Sequence, residues 1–196
     1  MSAVFQTVDT DAIRIDPREF AQRLGQSPDT LPDGLACECE ALLRPVLSYR
    51  YCCRRTAILR PEPEVFDFGF GAFHSHSLTR NLDGCNEAIL FAATIGPGVD
   101  RLLARLAVTS PVRRYVADAL ASAAVESLCD YANARLSEGL SCAPRFSPGY
   151  GDVPLSVQPG FLQFVNAGRL LGITLSEHFF MNPSKSVTAI IGIRTD

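Results

Sequence analysis

Four side chains with different chemistry fall close together in the C-terminal third of the chain. The segment RFSPGYGDVPLSVQ, residues 145–158, supplies a cation, a hydroxyl, an aromatic ring and a carboxylate in Arg145, Ser147, Tyr150 and Asp152. Prolines stiffen this segment, whereas Gly149 permits a sharp turn or a close approach of the backbone to a ligand. Because the segment carries no nucleophile–base pair, it is typical of a loop that binds and positions a small molecule.

A second unusual feature is Lys185, in the sequence Pro-Ser-Lys-Ser. It is the only lysine in the chain, which otherwise uses arginine for its positive charges. A single lysine between two serines indicates a specific role in a binding site. The alternative is an ordinary surface lysine in a turn.

Length and composition are those of one folded domain covering residues 1–196. Apolar residues make up 47% of the chain and charged residues 20%, so disorder is not expected. The net charge of −3 and the scattered arginines argue against a nucleic-acid-binding protein. No signal segment and no apolar run of membrane-spanning length is present, which predicts no membrane partner and a cytoplasmic location.

The seven cysteines and the sequence His74-x-His76 raise the question of a metal site. The cysteines are odd in number and lack C-x-x-C spacing, so they predict neither a disulfide framework nor a structural zinc site. On a strand, His74 and His76 would lie on one face, because side chains repeat every two residues. An H-x-H pair alone is a weak metal signal, and we expect no metal.

Several elements that position these residues can be predicted from the pattern. Asp16-Pro17 followed by Gly25 predicts a short helix over 17–24. The apolar run 88–95 predicts a strand that is buried on both faces. A helix after Gly96 and a long, alanine-rich helix over 111–137 follow it.

The remaining elements are predicted less sharply. We expect a helix over 37–49 interrupted at Pro45, and strands over the following ranges: 51–59, 64–70, 73–78, 173–181 and 186–193. A further helix is expected within 155–171. Because strands and helices do not alternate strictly, the expected fold is a single α+β domain with a largely antiparallel sheet packed with helices.

Two motifs resemble the activation domain of cobalamin-dependent methionine synthase. Arg145-Phe-Ser-Pro-Gly-Tyr150 corresponds to an R-P-A-P-G-Y loop, and Met181-Asn-Pro-Ser-Lys-Ser-Val187 to an M-W-P-x-x-S-V turn, in the same order and at nearly the same separation. The whole chain is more similar still to free-standing relatives of that domain. No corrinoid-binding D-x-H-x-x-G sequence is present.

The resemblance implies a function and its partners. Such a domain binds S-adenosylmethionine and presents the methyl group to a corrinoid (cobalamin) whose cobalt has been oxidised to Co(II). An external donor, such as a flavodoxin-like or iron–sulfur protein, reduces the cobalt, and methylation reactivates it. For this chain the corrinoid would belong to a separate corrinoid-binding methyltransferase protein.

The resemblance also implies site residues. Arg145 would hold the ligand carboxylate, for which a planar guanidinium is suited. Ser147 and Gly149 would line the adenosine, Tyr150 would lie where nucleoside and corrinoid meet, and Lys185 would belong to the second motif. The family's acidic residue for the ligand amino group aligns with Ser122. Residues four apart share a helix face, so Glu126 or Asp118 would take that role.

Two alternatives remain open. Because Ser122 replaces the acidic residue, the chain could be a non-catalytic module that docks on a corrinoid protein without S-adenosylmethionine chemistry. It could also be an unrelated metal enzyme that uses His74, His76 and a cysteine.

Overall fold

The computed structural model describes residues 3–194, which form an antiparallel sheet with helices on both faces. The main sheet has the order β1-β2-β5-β8, and every neighbouring pair is antiparallel. Its strands are Val4–Thr7 (β1), Arg50–Ala57 (β2), Cys85–Thr94 (β5) and Ser186–Arg194 (β8). The predicted α+β class with a largely antiparallel sheet is therefore confirmed.

The helices divide between the two faces of this sheet. One face packs against Pro17–Leu24 (α1), Leu35–Leu43 (α2), Pro97–Thr109 (α4) and Pro111–Leu136 (α5). The other face packs against His76–Asn81 (α3), Gln158–Phe164 (α6) and Ala167–Leu171 (α7). Two short hairpins complete the fold: Val65–Asp67 (β3) with Ala72–His74 (β4), and Thr174–Leu175 (β6) with Met181–Asn182 (β7).

From Ala88 to Thr94, strand β5 is buried on both faces, as its continuous apolar run predicts. Ile89, Phe91 and Ala93 belong to the core beneath α5, whereas Leu90 and Ala92 belong to the core beneath α6 and α7. Successive side chains of a strand point to opposite faces. When both faces are covered, apolar residues are favoured at every position, and the usual alternation of apolar and polar residues is absent.

Helix α5 is the longest element and crosses the middle of one face. Ala117, Ala121 and Ala124 of this helix are fully buried, so the neighbouring helices α1, α2 and α4 can approach closely. Ser127 ties α5 to the start of α1 by accepting a hydrogen bond from the Asp16 N–H at 3.1 Å. The small side chains of this helix serve packing.

The predicted helix over 17–24 is confirmed together with its caps. The Asp16 carboxylate accepts a hydrogen bond from the Arg18 N–H at 2.8 Å, and Gly25 ends the helix in the left-handed conformation at φ 70°. The helix predicted over 37–49 begins at Leu35 and ends at Leu43, before a short 3₁₀ turn that contains Pro45.

Four further predicted elements are wrong in extent. The strand over 64–70 is only Val65–Asp67. The strand over 73–78 ends at His74, because Ser75 caps α3 by accepting from the Leu78 N–H at 3.0 Å. The helix within 155–171 is two helices, separated at Asn166, whose φ of 58° is left-handed. In place of the strand over 173–181, the structure has two short strands, β6 and β7, which pair with each other.

Candidate functional site

The Arg145 loop is fastened to the edge of the main sheet. Phe146 exchanges two backbone hydrogen bonds with Ile190 of β8, at 2.8 and 2.7 Å. The chain then turns at Gly149, whose φ is 90° and whose N–H donates to the Val153 carbonyl at 2.8 Å. A Cβ added to Gly149 would lie 2.9 Å from Cδ2 of Leu155, an exposed side chain that can shift, so it is the positive φ that requires glycine at this position.

Asp152 holds the far end of this loop against α3. Its carboxylate accepts hydrogen bonds from Ser75 Oγ at 2.6 Å, from the His76 N–H at 2.7 Å and from the Ser77 N–H at 3.1 Å. The Ser75 hydrogen bond, opposed by desolvation and reinforced by the two backbone donors, holds the pKa of Asp152 well below its usual range. Asp152 therefore positions the loop and is not free to bind a ligand.

A cleft of about 510 Å³ opens between this loop, α1, α5 and β8. Its charged lining residues are Glu19, Arg23, Glu126 and Arg145, and its apolar and aromatic ones include Phe146, Pro148, Tyr150 and Met181. Small-molecule sites are commonly clefts of about 300–1,000 Å³ with a few convergent polar groups. The cleft has the size and the mixed lining of such a site.

An ion-pair network crosses the cleft around Glu126. The Oε2 atom of Glu126 lies 2.9 Å from Nη2 of Arg145, and its Oε1 atom lies 3.0 Å from Nη2 of Arg23. Arg145 also pairs with Asp130, one helical turn further along α5. Burial lowers the pKa of Arg145, but the Asp130 hydrogen bond and the nearby negative groups outweigh it and raise the pKa above the usual value. Arg145 therefore stays charged.

This arrangement can bind a molecule that carries both charges. A guanidinium beside a carboxylate complements the two charged groups of an α-amino acid. The carboxylate of the amino acid would replace Glu126 as the partner of Arg145, and its ammonium would replace Arg145 as the partner of Glu126. Glu19 adds a second acceptor: its Oε2 atom is buried without a hydrogen bond within residues 3–194 and lies 3.6 Å from Nε of Arg23. Gln158, also at the cleft, accepts from Thr188 Oγ1 at 3.0 Å through its oxygen and offers its nitrogen as a donor.

The structure separates the expected site residues into two groups. Arg145, Ser147, Tyr150 and Glu126 line the cleft together. Gly149 shapes the loop without lining it.

Lys185 and Asp118 form a separate pair outside this lining. Nζ of Lys185 lies 3.0 Å from Oδ1 of Asp118 and 2.8 Å from Oγ of Ser122, one turn before Glu126 on α5. The Lys185 side chain is only 15% exposed, so the lone lysine is no free surface cation. Its ammonium lies beside Ser122, so Glu126 is the acidic side chain of α5 that lines the cleft.

Sequence reasoning did not single out Glu19, Arg23 and Gln158 as site residues. Glu19 and Arg23 lie one turn apart on α1, more than 100 positions before Glu126, and only the packing of α1 on α5 brings them together. The only sequence feature that could have indicated these two residues is their i,i+4 spacing on an amphipathic helix. The same spacing is common on ordinary solvent-exposed helix faces, so it does not identify a site.

The histidines pair with a carboxylate. His74 Nε2 lies 3.0 Å from Oε2 of Glu64, and His76 Nδ1 lies 2.6 Å from Oε1 of Glu64. His74 is on β4 and His76 begins α3, so they do not share a strand face. Within residues 3–194, no three His, Cys, Asp or Glu side chains are arranged to hold a metal ion.

The seven cysteines are all free thiols, and most of them are buried. Burial raises the pKa of the Cys52 thiol to about 12, which keeps it protonated. In the part of the chain that the structure describes, no helix is long and apolar enough to cross a membrane.

The fold is similar to that of a solved structure, the crystal structure of the MetH reactivation domain bound to AdoHcy. The TM-score is 0.72 at 15% sequence identity, and the match covers 100% of this chain and 79% of that chain. No protein-family model and no curated protein matches the sequence. The fold is therefore that of a methionine synthase activation domain, as the two motifs predict.

Proposed function

We infer that this chain binds S-adenosylmethionine in the Arg145 cleft and supports reductive methylation of the cobalt of a separate corrinoid-dependent methyltransferase. One observation carries the proposal: Arg145 and Glu126 stand side by side in a cleft of about 510 Å³, in a fold shared with a domain whose structure contains AdoHcy. The corrinoid belongs to the partner protein, and a flavodoxin-like or iron–sulfur protein is the electron donor.

The donor set of the cleft fits the amino-acid end of this ligand. Arg145 receives the carboxylate and Glu126 the ammonium, so each keeps a partner of opposite charge when the ligand enters. The buried Oε2 atom of Glu19, which has no hydrogen bond within residues 3–194, accepts a second ammonium N–H. A buried acceptor without a donor is costly, so occupation of this position is favourable.

The loop holds the rest of the ligand. Ser147 lines the adenosine, Gly149 lets the loop turn around it, and Tyr150 provides an aromatic face that can attract a sulfonium. Tyr150 is 65% exposed although it lines the cleft, so it can contact the ligand and a docked partner at once. Lys185 and Asp118 act indirectly, by fixing the 181–187 turn against α5.

The contribution of this chain is then positioning. S-adenosylmethionine supplies an electrophilic methyl group, and the partner's reduced corrinoid supplies the nucleophile. The protein holds the methyl donor in one orientation at the mouth of the cleft, and no general base is needed. Correct orientation by itself can remove a large part of a barrier.

The proposal is tested in two steps. Calorimetric titration of the purified chain with S-adenosylmethionine and AdoHcy should show saturable binding of both. A cobalamin-binding protein in the Co(II) state, kept with a chemical reductant and without oxygen, should then gain a labelled methyl group only when both this chain and labelled S-adenosylmethionine are present.

Failure of both steps would favour the docking module. In that case a complex with the corrinoid protein would form at the same affinity with and without S-adenosylmethionine, and no labelled methyl group would be transferred.

A further inference from the structure

A second cavity, of about 370 Å³, is lined by residues of β2, α7, β7 and the start of α4 and shares no lining residue with the Arg145 cleft. Arg50 and Arg169 are the only ionisable side chains among its lining residues. The Arg145 cleft has two acids for its two arginines, whereas this cavity has none. Its lining therefore carries a formal charge of +2.

Neither arginine is neutralised by the fold. Arg50 and Arg169 make no ion pair and no side-chain hydrogen bond within residues 3–194, and the Nε atom of Arg50 is buried without a partner. Asp100, on α4, accepts hydrogen bonds from Ser184 and does not line the cavity. A buried donor without an acceptor is unfavourable and indicates a position for an anion.

The two arginines reach the cavity from different elements. In β2, Tyr51 belongs to the core beneath α5 and Cys52 to the core beneath α7. Because side chains alternate along a strand, Arg50 lies on the same face as Cys52, the face that α7 covers. Arg169 is on α7 itself. Two planar guanidinium groups on one cavity favour an oxyanion that can accept several N–H donors, as phosphate does.

The rest of the lining is suited to an organic group. Pro97, Leu170, Leu171 and Pro183 supply apolar surface, and Asn182 supplies an amide. The cavity is also much larger than a single phosphate group.

We propose that this cavity binds the phosphate group of a small organic phosphate, with Arg50 and Arg169 as the phosphate ligands and the leucine and proline side chains against the organic part. This site is independent of S-adenosylmethionine binding, because the two cavities share no lining residue.

The test is titration of the full chain with inorganic phosphate and with phenyl phosphate, followed by calorimetry. Arg169→Gln and Arg50→Gln should each weaken binding at least fivefold. Arg105→Gln, which removes an exposed α4 arginine with the same change in net charge, should leave it unchanged. The Arg169 change is at an exposed helix position, so folding is not at risk there.

The two probes separate the sources of the phosphate. Tighter binding of phenyl phosphate supports an organic phosphate, whereas equal affinities would overturn the role of the apolar lining and leave a site for free phosphate. A saturating amount of AdoHcy should not displace either probe. The proposal is overturned if neither probe binds, or if Arg50→Gln and Arg169→Gln bind both probes as well as Arg105→Gln does.

Discussion

Replacing Arg145 by Gln should weaken the binding of AdoHcy by about ten- to thirtyfold. The substitution keeps the side chain polar and unbranched at Cβ but shortens it and removes the positive charge that faces the ligand carboxylate. The Arg145 side chain is 26% exposed and Glu126 is 21% exposed, so the charges act in a partly desolvated cleft.

The magnitude follows from the bonds that are exchanged. A hydrogen bond to a charged group contributes about 1.5–3 kcal/mol. The ligand carboxylate must first displace Glu126 and Asp130 from Arg145, and such solvent-accessible ion pairs are worth about 0–1 kcal/mol. The difference is about 0.5–3 kcal/mol, and the middle of this range, about 1.5–2 kcal/mol, corresponds to the stated change in Kd.

Calorimetric titration of the variant and the wild type with AdoHcy measures this difference. Arg114→Gln is the matched control, since Arg114 is an exposed arginine near the start of α5 that does not line the cleft, and it should bind as the wild type does. If Arg145→Gln binds within twofold of the wild type while remaining folded, Arg145 does not hold the ligand and the reasoning is refuted.

Three further predictions test the surroundings of the cleft. Asp130→Asn frees Arg145 from a competing carboxylate and should tighten AdoHcy binding by up to about fivefold in calorimetry; weaker binding would mean that Asp130 orients the guanidinium. Lys185→Met breaks its contacts with Asp118 and should lower the free energy of unfolding in urea by about 1–2 kcal/mol. Its Kd for AdoHcy should change less than twofold, and a tenfold loss would place Lys185 against the ligand. Folding lowers the pKa of Asp152. Its carboxylate therefore stabilises the folded state fully above about pH 4, and this stabilisation is lost as the pH falls through the pKa of the folded state. The difference in unfolding free energy between wild type and Asp152→Asn should therefore shrink below about pH 4, and a difference that grows on acidification would reverse this assignment.

The sequence predicted those parts of the fold whose signals are local. Asp16, Pro17 and Gly25 specify both ends of α1 within ten residues, and the structure has the helix over Pro17–Leu24. The apolar run 88–95 likewise specified a strand buried on both faces. In each case the residues that determine the element belong to the element or adjoin it.

The errors arose where a side chain competed with a pattern. Ser75 looks like a continuation of the strand, but its hydroxyl caps α3 and accepts a bond from Leu78. Asparagine is one of the few residue types that tolerate the left-handed conformation, and Asn166 adopts it between α6 and α7. These outcomes depend on single hydrogen bonds and backbone angles that hydrophobic periodicity does not register.

The candidate site was only partly predictable for a related reason. Arg145, Ser147 and Tyr150 lie in one loop and could be identified as a group. Glu126 was identified through its helix spacing from Ser122. Glu19 comes from a helix at the other end of the chain, and its place at the cleft depends on how α1 packs on α5.

The central claim, that Arg145 holds the ligand carboxylate, is tested most directly by a thermodynamic cycle. Wild type and Arg145→Gln are each titrated with S-adenosylmethionine and with its decarboxylated analogue, which lacks only that carboxylate. The account predicts that removal of either partner weakens binding by about tenfold or more, and that the variant binds the two ligands about equally. If the variant still discriminates between the two ligands as strongly as the wild type does, the carboxylate is bound elsewhere and the central claim is contradicted.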